Sequence, residues 1–453
     1  MKSILFSLLL LVVLFLSLSC SESYDYSQAS LGLGLRDYSC TEAWIEVQIG
    51  SNDKTANIYI KKNDEIIQTV KVGESETLFY FDNLLPNTAY KFDAVTYEDG
   101  KEVKSNPVTF TTLDTTSHNF TWQTFTFGEH SSSVLYDVAI VDENNIWAVG
   151  EIYMNDSLGN PDPSLYNLIK WDGISWKPER VYFKNSQGQS FLAPMKSIFA
   201  FNANDVWIGL DQIIYWNGAT YKSIELPDAV FQSWINKMWG SSSDDLYIVG
   251  NNGNIAHYQS GSWTKIESEI NVNLKDIYGT PDGSTVWISG YEDFKPTVLL
   301  KISNSKIETV FNSRDYLFVN SPDHISGGIV SVWTNNNNFV YVTTWYGLYR
   351  KSIYLDPSRE EFLPPSGRGR PSSLDWHGIR SRATDINNIF TSGNRGTMHH
   401  FNGVTYRTYQ ELADNGVTYY GLDVKGNATI SCGQKYENGI SDKAIITVIK
   451  NNN

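Results

Sequence analysis

The chain has 453 residues, and its 50 acidic residues outnumber its 35 lysines and arginines, for a formal net charge of −15 at pH 7. This acidic balance excludes a nucleic-acid partner, because binding to phosphates requires a basic face that displaces counterions. Aromatic residues make up 14% of the chain, glycine and asparagine are plentiful, and long helical patterns are absent. We therefore expect an all-β protein.

The N-terminus combines an uncharged apolar run, residues 4–18, with the sequence Leu16-Ser-Leu-Ser-Cys20. The run is too short to span a membrane and has the length of a signal-peptide core. Its end resembles the lipobox of bacterial lipoproteins, in which a lipidated cysteine becomes the new N-terminus. The resemblance implies a signal peptide over residues 1–19, a lipid such as palmitate on Cys20 and a polar tether over residues 20–29. An ordinary secretory signal cleaved near Ser19 is the alternative.

These features also predict where the protein acts. A lipidated Cys20 places it in the bacterial cell envelope, anchored to the outer membrane and facing either the periplasm or the outside. The lipid would be its only contact with a membrane.

No metal, cofactor or catalytic residue is assigned from the sequence. The seven histidines contain no pair with metal-ligand spacing, and Cys40 and Cys432 form neither a metal motif nor a disulfide framework. We expect both cysteines to be buried free thiols. A nucleophile elbow and a phosphate-binding loop are both absent from the sequence, so we lean against an enzyme.

Residues 30–113 alternate apolar and polar positions between turn clusters, as the strands of a small β-sandwich do. The stretch Leu84-Leu-Pro-Asn-Thr-Ala-Tyr90-Lys-Phe92 resembles the corner between strands E and F of fibronectin type III domains. Ser105-Asn-Pro-Val-Thr-Phe-Thr-Thr112 resembles their last strand. The resemblance implies that Tyr90 packs in the corner and that the domain acts as a spacer.

A repeat fills residues 118–450: an apolar strand, a turn rich in Asn and Asp, and a second strand with an aromatic residue near a glycine. Seven copies with this periodicity predict seven four-stranded units, and so a seven-bladed β-propeller. The sequence resembles secreted bacterial propellers with a Trp-x-Val-Gly repeat. The seven positions of the repeated aromatic are Trp147, Trp207, Tyr247, Trp287, Tyr341, Phe390 and, in the last copy, Ile430.

Each repeat is expected to contain strands A to D, with C and D joined by a tight turn between aromatics, as in Trp171-Asp-Gly-Ile-Ser-Trp176. The last repeat offers strands A, B and C only. An additional strand, Phe120–Phe127, precedes the first repeat and resembles strand D elsewhere. We therefore expect it to complete the seventh unit and to close the ring with strands from both ends of the chain.

The connections differ between the two sides of such a disc. The A–B and C–D turns are uniformly short. The B–C and D–A connections carry every insertion, and we call the side on which they lie the long-loop face. Variable loops on a rigid scaffold are where binding usually resides. The insertions are residues 151–164, 183–194, 312–327, 363–376 and 434–442.

Arginine is scarce, yet six arginines fall in one stretch that also contains Trp376 and His377. Guanidinium groups beside aromatics are suited to the carboxylates or sulfates of an acidic glycan, or to an acidic protein segment. A solvated basic loop is the alternative. The arginines are Arg359, Arg368, Arg370, Arg380, Arg382 and Arg395, and the ligand-binding candidates are Arg368, Arg370, Trp376, His377, Arg380 and Arg382.

Asp137, Asp276 and Asp423 occupy similar places in strand A of three repeats and are candidates to line the central channel. A carboxylate pair there could perform acid–base chemistry on a glycan. Alternatively, these side chains bind backbone amides of the next unit or a structural cation. Three functions remain open: a propeller that binds a glycan or protein ligand on its long-loop face, a glycosidase or lyase, and a scaffold in a surface complex.

Overall fold

The structure, a computed structural model, describes residues 31–49, 57–71, 76–98, 100–185, 187–313, 325, 327–336, 338–353, 360–363, 378–437 and 442–452. These residues form strands and two single turns of 3₁₀ helix, Asn251–Gly253 and Gln410–Leu412. No helix in these ranges is long and apolar enough to cross a membrane. Cys20 and the rest of the predicted signal peptide and tether lie outside the described residues.

The chain separates into two compact units. The smaller unit includes Ile45–Phe79 and Tyr90–Phe110, and the larger unit includes Arg36–Trp44, Tyr80–Ala89 and Thr111–Asn453. Two segments within the predicted boundaries 30–113 thus belong to the larger unit.

The first eight strands form two sheets. A three-stranded sheet has the order β1-β2-β5, and a five-stranded sheet has the order β4-β3-β6-β7 with β8 paired to β6. Inward-facing side chains such as Ile58, Ile60 and Phe92 are buried, and the Phe92 ring stacks on Phe110 with centroids 5.8 Å apart. The strands are β1 (Leu31–Tyr38), β2 (Ala43–Ile49), β3 (Asn57–Lys62), β4 (Glu65–Lys71), β5 (Glu76–Phe81), β6 (Ala89–Glu98), β7 (Lys101–Lys104) and β8 (Val108–Thr111).

The rest of the described chain contains seven four-stranded antiparallel sheets, which we number 1 to 7 in chain order. One strand of sheet 7 comes from ahead of sheet 1, namely β9 (Phe120–Phe127). Sheet 1 contains β10 (Val134–Asp142), β11 (Asn145–Ile152), β12 (Tyr166–Trp171) and β13 (Trp176–Glu179). A small hairpin follows, made of β14 (Phe183–Lys184) and β15 (Ser190–Phe191).

The next three sheets also take their strands in chain order. Sheet 2 contains β16 (Ser197–Asn202), β17 (Asp205–Gly209), β18 (Ile213–Trp216) and β19 (Tyr221–Ile224). Sheet 3 contains β20 (Ile235–Ser242), β21 (Asp245–Gly250), β22 (Ile255–Gln259) and β23 (Ser262–Ile266). Sheet 4 contains β24 (Leu274–Gly279), β25 (Thr285–Gly290), β26 (Thr297–Ser303) and β27 (Lys306–Ser313).

The last three sheets complete the larger unit. Sheet 5 contains β28 (Ile329–Trp333), β29 (Phe339–Thr344), β30 (Gly347–Ser352) and β31 (Glu360–Leu363). Sheet 6 contains β32 (Gly378–Asp385), β33 (Asn388–Gly393), β34 (Met398–Phe401) and β35 (Tyr406–Thr408). Sheet 7 has the order β36-β37-β38-β9, with β36 (Val417–Lys425), β37 (Ala428–Lys435) and β38 (Lys443–Asn451).

The predicted partner of Phe120–Phe127 is confirmed. Strand β9 pairs with β38 along its whole length, from Phe120 opposite Asn451 to Phe127 opposite Ala444. The first strand of each sheet contacts the first strand of the next sheet, and β36 of sheet 7 contacts β10 of sheet 1. Apolar side chains fill the space between neighbouring sheets: Leu135 and Val138 of sheet 1 share one buried cluster with Ile430 and Cys432 of sheet 7.

The repeated Asn/Asp turn has a direct structural role. The indole N–H of Trp147 donates to Asn145 Oδ1 at 2.6 Å, and that of Trp207 donates to Asp205 Oδ1 at 2.9 Å. The residue two positions before the tryptophan therefore accepts the hydrogen bond of a buried indole N–H, which would otherwise have no partner. In the first two repeats, the motif couples the turn to the core between the sheets.

The predicted C–D hairpins are present, and in sheet 1 the turn is a four-residue loop. Trp171 lies directly opposite Trp176, with a four-residue loop between them in which only Gly173 has positive φ. The side chain of Asp172 accepts the N–H groups of Ile174 and Ser175, which is the geometry of an Asx turn. The loops of sheets 2 and 6 follow this pattern, and the two-residue turn occurs at Ser260-Gly261 in sheet 3.

Candidate ligand-binding site on the long-loop face

A β-bulge recurs at the start of the first strand of each sheet except sheet 2. In sheet 1, Leu135 pairs with Gly150 and Asp137 pairs with Val149, so Tyr136 is an extra, unpaired residue. A bulge redirects the side chain that it carries. The extra residues in sheets 3 to 7 are Asn236, Lys275, Val330, Ile379 and Tyr420.

In sheets 1 and 7, the glycine of the repeat allows two backbones to approach each other closely beside the bulge. A Cβ atom on Gly150 would lie 2.1 Å from the Val134 carbonyl oxygen, and one on Gly433 would lie 1.9 Å from the Thr418 carbonyl oxygen. The two backbones approach too closely for any side chain at these positions. The glycine alone does not set the bulge, because sheet 2 has Gly209 without a bulge there and sheet 5 has the bulge with Thr344 in place of the glycine.

The bulged residues lie where the D–A connections enter the sheets and the B–C connections leave them. They are thus at the long-loop face, and we call them, together with Lys196 of sheet 2, the mouth residues. Each is half-buried, whereas the residue that follows each of them is buried. The mouth residues are Tyr136, Lys196, Asn236, Lys275, Val330, Ile379 and Tyr420.

Two mouth residues, Tyr136 and Tyr420, line a cleft of about 560 Å³ between sheets 1 and 7. Glu151 also lines it and binds two tyrosines: the Tyr136 hydroxyl donates to Glu151 Oε1 at 2.8 Å, and the Tyr153 hydroxyl donates to Oε2 at 3.2 Å. Burial, followed by the hydrogen bond to Glu151, raises the pKa of Tyr136, so its hydroxyl stays a donor. We call this the tyrosine cleft, and its other lining residues are Ser131, Ser132, Val134 and Gln434.

A lysine at the start of sheet 2 contacts one of the rings that line the tyrosine cleft. The Lys196 ammonium lies 3.3 Å from the centroid of the Tyr136 ring, in a cation–π contact. Burial lowers the pKa of Lys196, and the nearby Glu151 carboxylate opposes that shift. The cleft thus already holds one cation of the chain against one of its rings.

Large apolar side chains are exposed on the same face. Phe294, between β25 and β26, is fully exposed, and Trp234, just ahead of β20, is 46% exposed. Of eight exposed large apolar residues described from Phe120 onward, only Ile174 and Val404 lie in C–D turns on the other face. The remaining six lie in B–C or D–A connections: Leu158, Tyr182, Phe191, Trp234, Phe294 and Tyr436.

The three channel candidates accept backbone N–H groups from the next sheet. Asp137 accepts Ile198 N–H at 3.0 Å, Asp276 accepts Val332 N–H at 3.0 Å, and Asp423 accepts Ile140 N–H at 2.7 Å. These are the amide contacts that the sequence left open as an alternative. The three acids do not occupy equivalent positions. Asp137 and Asp276 directly follow the bulged residue, whereas Asp423 lies two positions further along its strand.

Arg380 and Arg382 do not lie on a loop. Both belong to β32, both are buried, and both pair with Asp276, Arg380 at 2.6 Å and Arg382 at 2.8 and 2.9 Å. Burial alone would raise the pKa of Asp276, but the two guanidiniums outweigh it and hold that pKa well below its usual range. Nothing in the linear sequence indicated this pairing.

A second buried ion pair links sheets 1 and 3. Lys237 Nζ lies 2.5 and 2.6 Å from the two carboxylate oxygens of Asp137, and both side chains are buried. Burial raises the pKa of Asp423, whose described contacts are backbone amides. Among the described residues, the three acids and three bases therefore bind one another or the backbone.

The remaining predicted binding residues, Arg368, Arg370, Trp376 and His377, lie outside the described residues, so their role stays a prediction. Within the described ranges, the structure contains no group of three His, Cys, Asp or Glu side chains that could hold a metal ion. Cys40 and Cys432 are buried and free, as predicted.

No protein-family model and no curated protein matches the chain. Among solved structures, "YCF48 bound to D1 peptide" is 14% identical, with a TM-score of 0.52, and the match covers 75% of this chain and 99% of that one. YCF48 from Cyanidioschyzon merolae is 12% identical, with a TM-score of 0.47, and the match covers 72% of this chain and 98% of that one. The β-propeller domain of Myceliophteria thermophila Cps50 (Swd1) is 9% identical, with a TM-score of 0.44, and the match covers 72% of this chain and 99% of that one. The chain is thus all-β with a fold similar to that of β-propellers.

Proposed function

We propose that the seven sheets are the blades of a closed seven-bladed propeller whose last blade takes β9 from the N-terminal side. The contact between β36 and β10 and the full pairing of β9 with β38 support this closure. We further propose that the first eight strands form a fibronectin type III-like spacer. Two sheets of three and five strands and the burial of Tyr90 support that assignment.

We propose that the propeller binds a protein ligand on its long-loop face. The observation that carries this proposal is the gathering of six exposed large apolar side chains on that face, against two on the other. Exposed apolar residues collected on one side of a rigid scaffold mark interaction sites. The similar structure described as YCF48 bound to D1 peptide fits a peptide as the ligand.

A glycan is the second candidate ligand. The tyrosine cleft offers aromatic rings together with the carboxylate of Glu151 and the amide of Gln434, which is chemistry that also suits sugars. An acid–base glycosidase needs two carboxylates about 5–10 Å apart that are free to act. Asp137 and Asp276 are instead engaged by basic side chains, so the binding proposal is the stronger one.

Combined peptide and glycan arrays test the binding proposal. We expect the protein to bind array peptides, and the double variant W234A/F294A to reduce that signal about tenfold or more, because anchoring aromatics dominate interface energies. The double variant I174A/V404A removes the two exposed apolar side chains of the other face and serves as the matched control.

Equal losses in both double variants would place the binding surface elsewhere. Binding to glycans alone would favour the second candidate. A protein that binds neither class would leave the scaffold alternative.

We also propose that the protein is a lipoprotein of the bacterial envelope, anchored to the outer membrane through Cys20. The sequence Leu16–Cys20 supports this proposal. In cells fed an alkyne-bearing palmitate analogue, we expect the wild-type protein to incorporate label and to fractionate with membranes. The variant C20S should lose the label and the membrane association, and the variant C40S should retain both. Retention of label in C20S would contradict the proposal.

A further inference from the structure

The tyrosine cleft combines a carboxylate with aromatic ring faces. We infer that it receives a guanidinium or ammonium group from a basic segment of a protein ligand. This inference rests on the proposed function, binding of a protein by the long-loop face, and it names the chemistry recognised at one point of that face.

Glu151 has remaining capacity to accept hydrogen bonds. Its two oxygens each accept one phenolic hydroxyl, from Tyr136 and Tyr153, and it forms no salt bridge among the described residues. A carboxylate has about four acceptor sites, so each oxygen can take a further donor. A planar guanidinium that presents two N–H groups fits such an acceptor best.

The rings beside Glu151 are suited to a cation. Tyr136 already holds the Lys196 ammonium 3.3 Å from its centroid, which shows that this ring is accessible to a positive charge. The Tyr420 ring lines the same cleft with its centroid 6.3 Å from that of Tyr136, and it makes no cation–π contact among the described residues. It therefore offers a face for a second cation near the carboxylate.

Charge favours a basic partner as well. The chain has a net charge of −15, so a basic segment is attracted before contact, whereas an acidic one is repelled. Lys196 already occupies the Tyr136 ring and interacts electrostatically with Glu151, so it competes with a cation of the ligand for both groups. Glu151 and Lys196 thus provide two substitutions with opposite expected effects.

The test uses the full-length protein and the probe acetyl-Gly-Arg-Gly-amide, titrated by ligand-observed NMR. The control probe is the same peptide with citrulline in place of arginine, which keeps the shape of the side chain and removes its charge. We expect the arginine peptide to bind about tenfold more tightly than the citrulline peptide, and E151Q to weaken arginine binding about tenfold through loss of a charge-assisted hydrogen bond. K196M should strengthen it about twofold to fivefold, because a competing cation is removed.

The matched control is E179Q. Glu179 also accepts a tyrosine hydroxyl, that of Tyr221 at 2.9 Å, but it lies outside the tyrosine cleft and pairs with Lys170. This variant should bind the arginine peptide as the wild type does.

Equal binding of both peptides, or no binding of the arginine peptide, would overturn the inference. So would an unchanged affinity in E151Q. A gain in affinity for the arginine peptide in E151Q would overturn it as well. If array binding depends on Trp234 and Phe294 while E151Q has no effect on the probe, the cation inference fails and the proposed function stands.

Discussion

Replacing Asp276 with asparagine is expected to lower the free energy of unfolding by about 3–5 kcal/mol, which would make it one of the most damaging single substitutions in the larger unit. The carboxylate neutralises two buried guanidiniums, and it also accepts the Ser331 hydroxyl at 2.5 Å and the Val332 N–H. Asparagine keeps the size of the side chain but leaves both positive charges buried without a counterion. Guanidinium-chloride unfolding followed by tryptophan fluorescence measures the change.

The control for this prediction is D172N. Asp172 lies in the C–D turn of sheet 1 and pairs with Lys177 at the surface, where solvent screens the interaction. The loops of sheets 2 and 6 use Asn217 and Asn402 at the equivalent position, so asparagine retains the turn. We expect D172N to unfold like the wild type. A D276N variant as stable as D172N would show that the buried arginines have another counterion.

The repeat allowed much of the fold to be predicted, because each copy carries its own local signals. The aromatic pairs that flank the C–D turns, such as Trp171 and Trp176, lie directly opposite each other in the structure. The type of turn could not be predicted, because a two-residue turn and a four-residue loop closed by an Asx turn share the same Asp-Gly or Asn-Gly letters. Only the side-chain hydrogen bonds of Asp172 distinguish them.

The candidate site was predicted less well, since its residues meet across sheets. Arg380 and Arg382 looked like part of a surface cluster because four other arginines are close to them in sequence. Their partner, Asp276, is about a hundred residues earlier, two sheets away along the unit. No local pattern reports an ion pair of that kind.

Tyr136 and Tyr420 were also missed, because the bulge that displaces them has no signature common to all the repeats. The glycine after the repeated aromatic marks a close approach of two backbones in sheets 1 and 7. Sheet 2, however, has Gly209 without a bulge at the start of its first strand, and sheet 5 has the bulge with Thr344 in place of the glycine. The mouth residues therefore follow from the pairing of the strands, which the sequence does not show.

A disulfide between strands from the two ends of the larger unit is expected to give the largest gain in stability. Thr124 of β9 lies directly opposite Thr447 of β38, with the two hydroxyl oxygens 3.0 Å apart. We expect T124C/T447C to form the disulfide and to raise the free energy of unfolding by about 2–4 kcal/mol, because the bond closes a very long loop in the unfolded chain. Thiol labelling establishes the bond, and the same unfolding experiment measures the gain.

Two controls separate the effect of the disulfide on stability from the effect of losing the threonine side chains. The single variant T124C and the reduced form of the double variant both lack the bond, so neither should gain stability. Failure of the disulfide to form would mean that β9 does not occupy the fourth position of sheet 7. A disulfide that forms without stabilising the protein would show that β9 stays paired with β38 after the other sheets have unfolded. In that case, the pairing of β9 with β38 would not be what holds the seven sheets together.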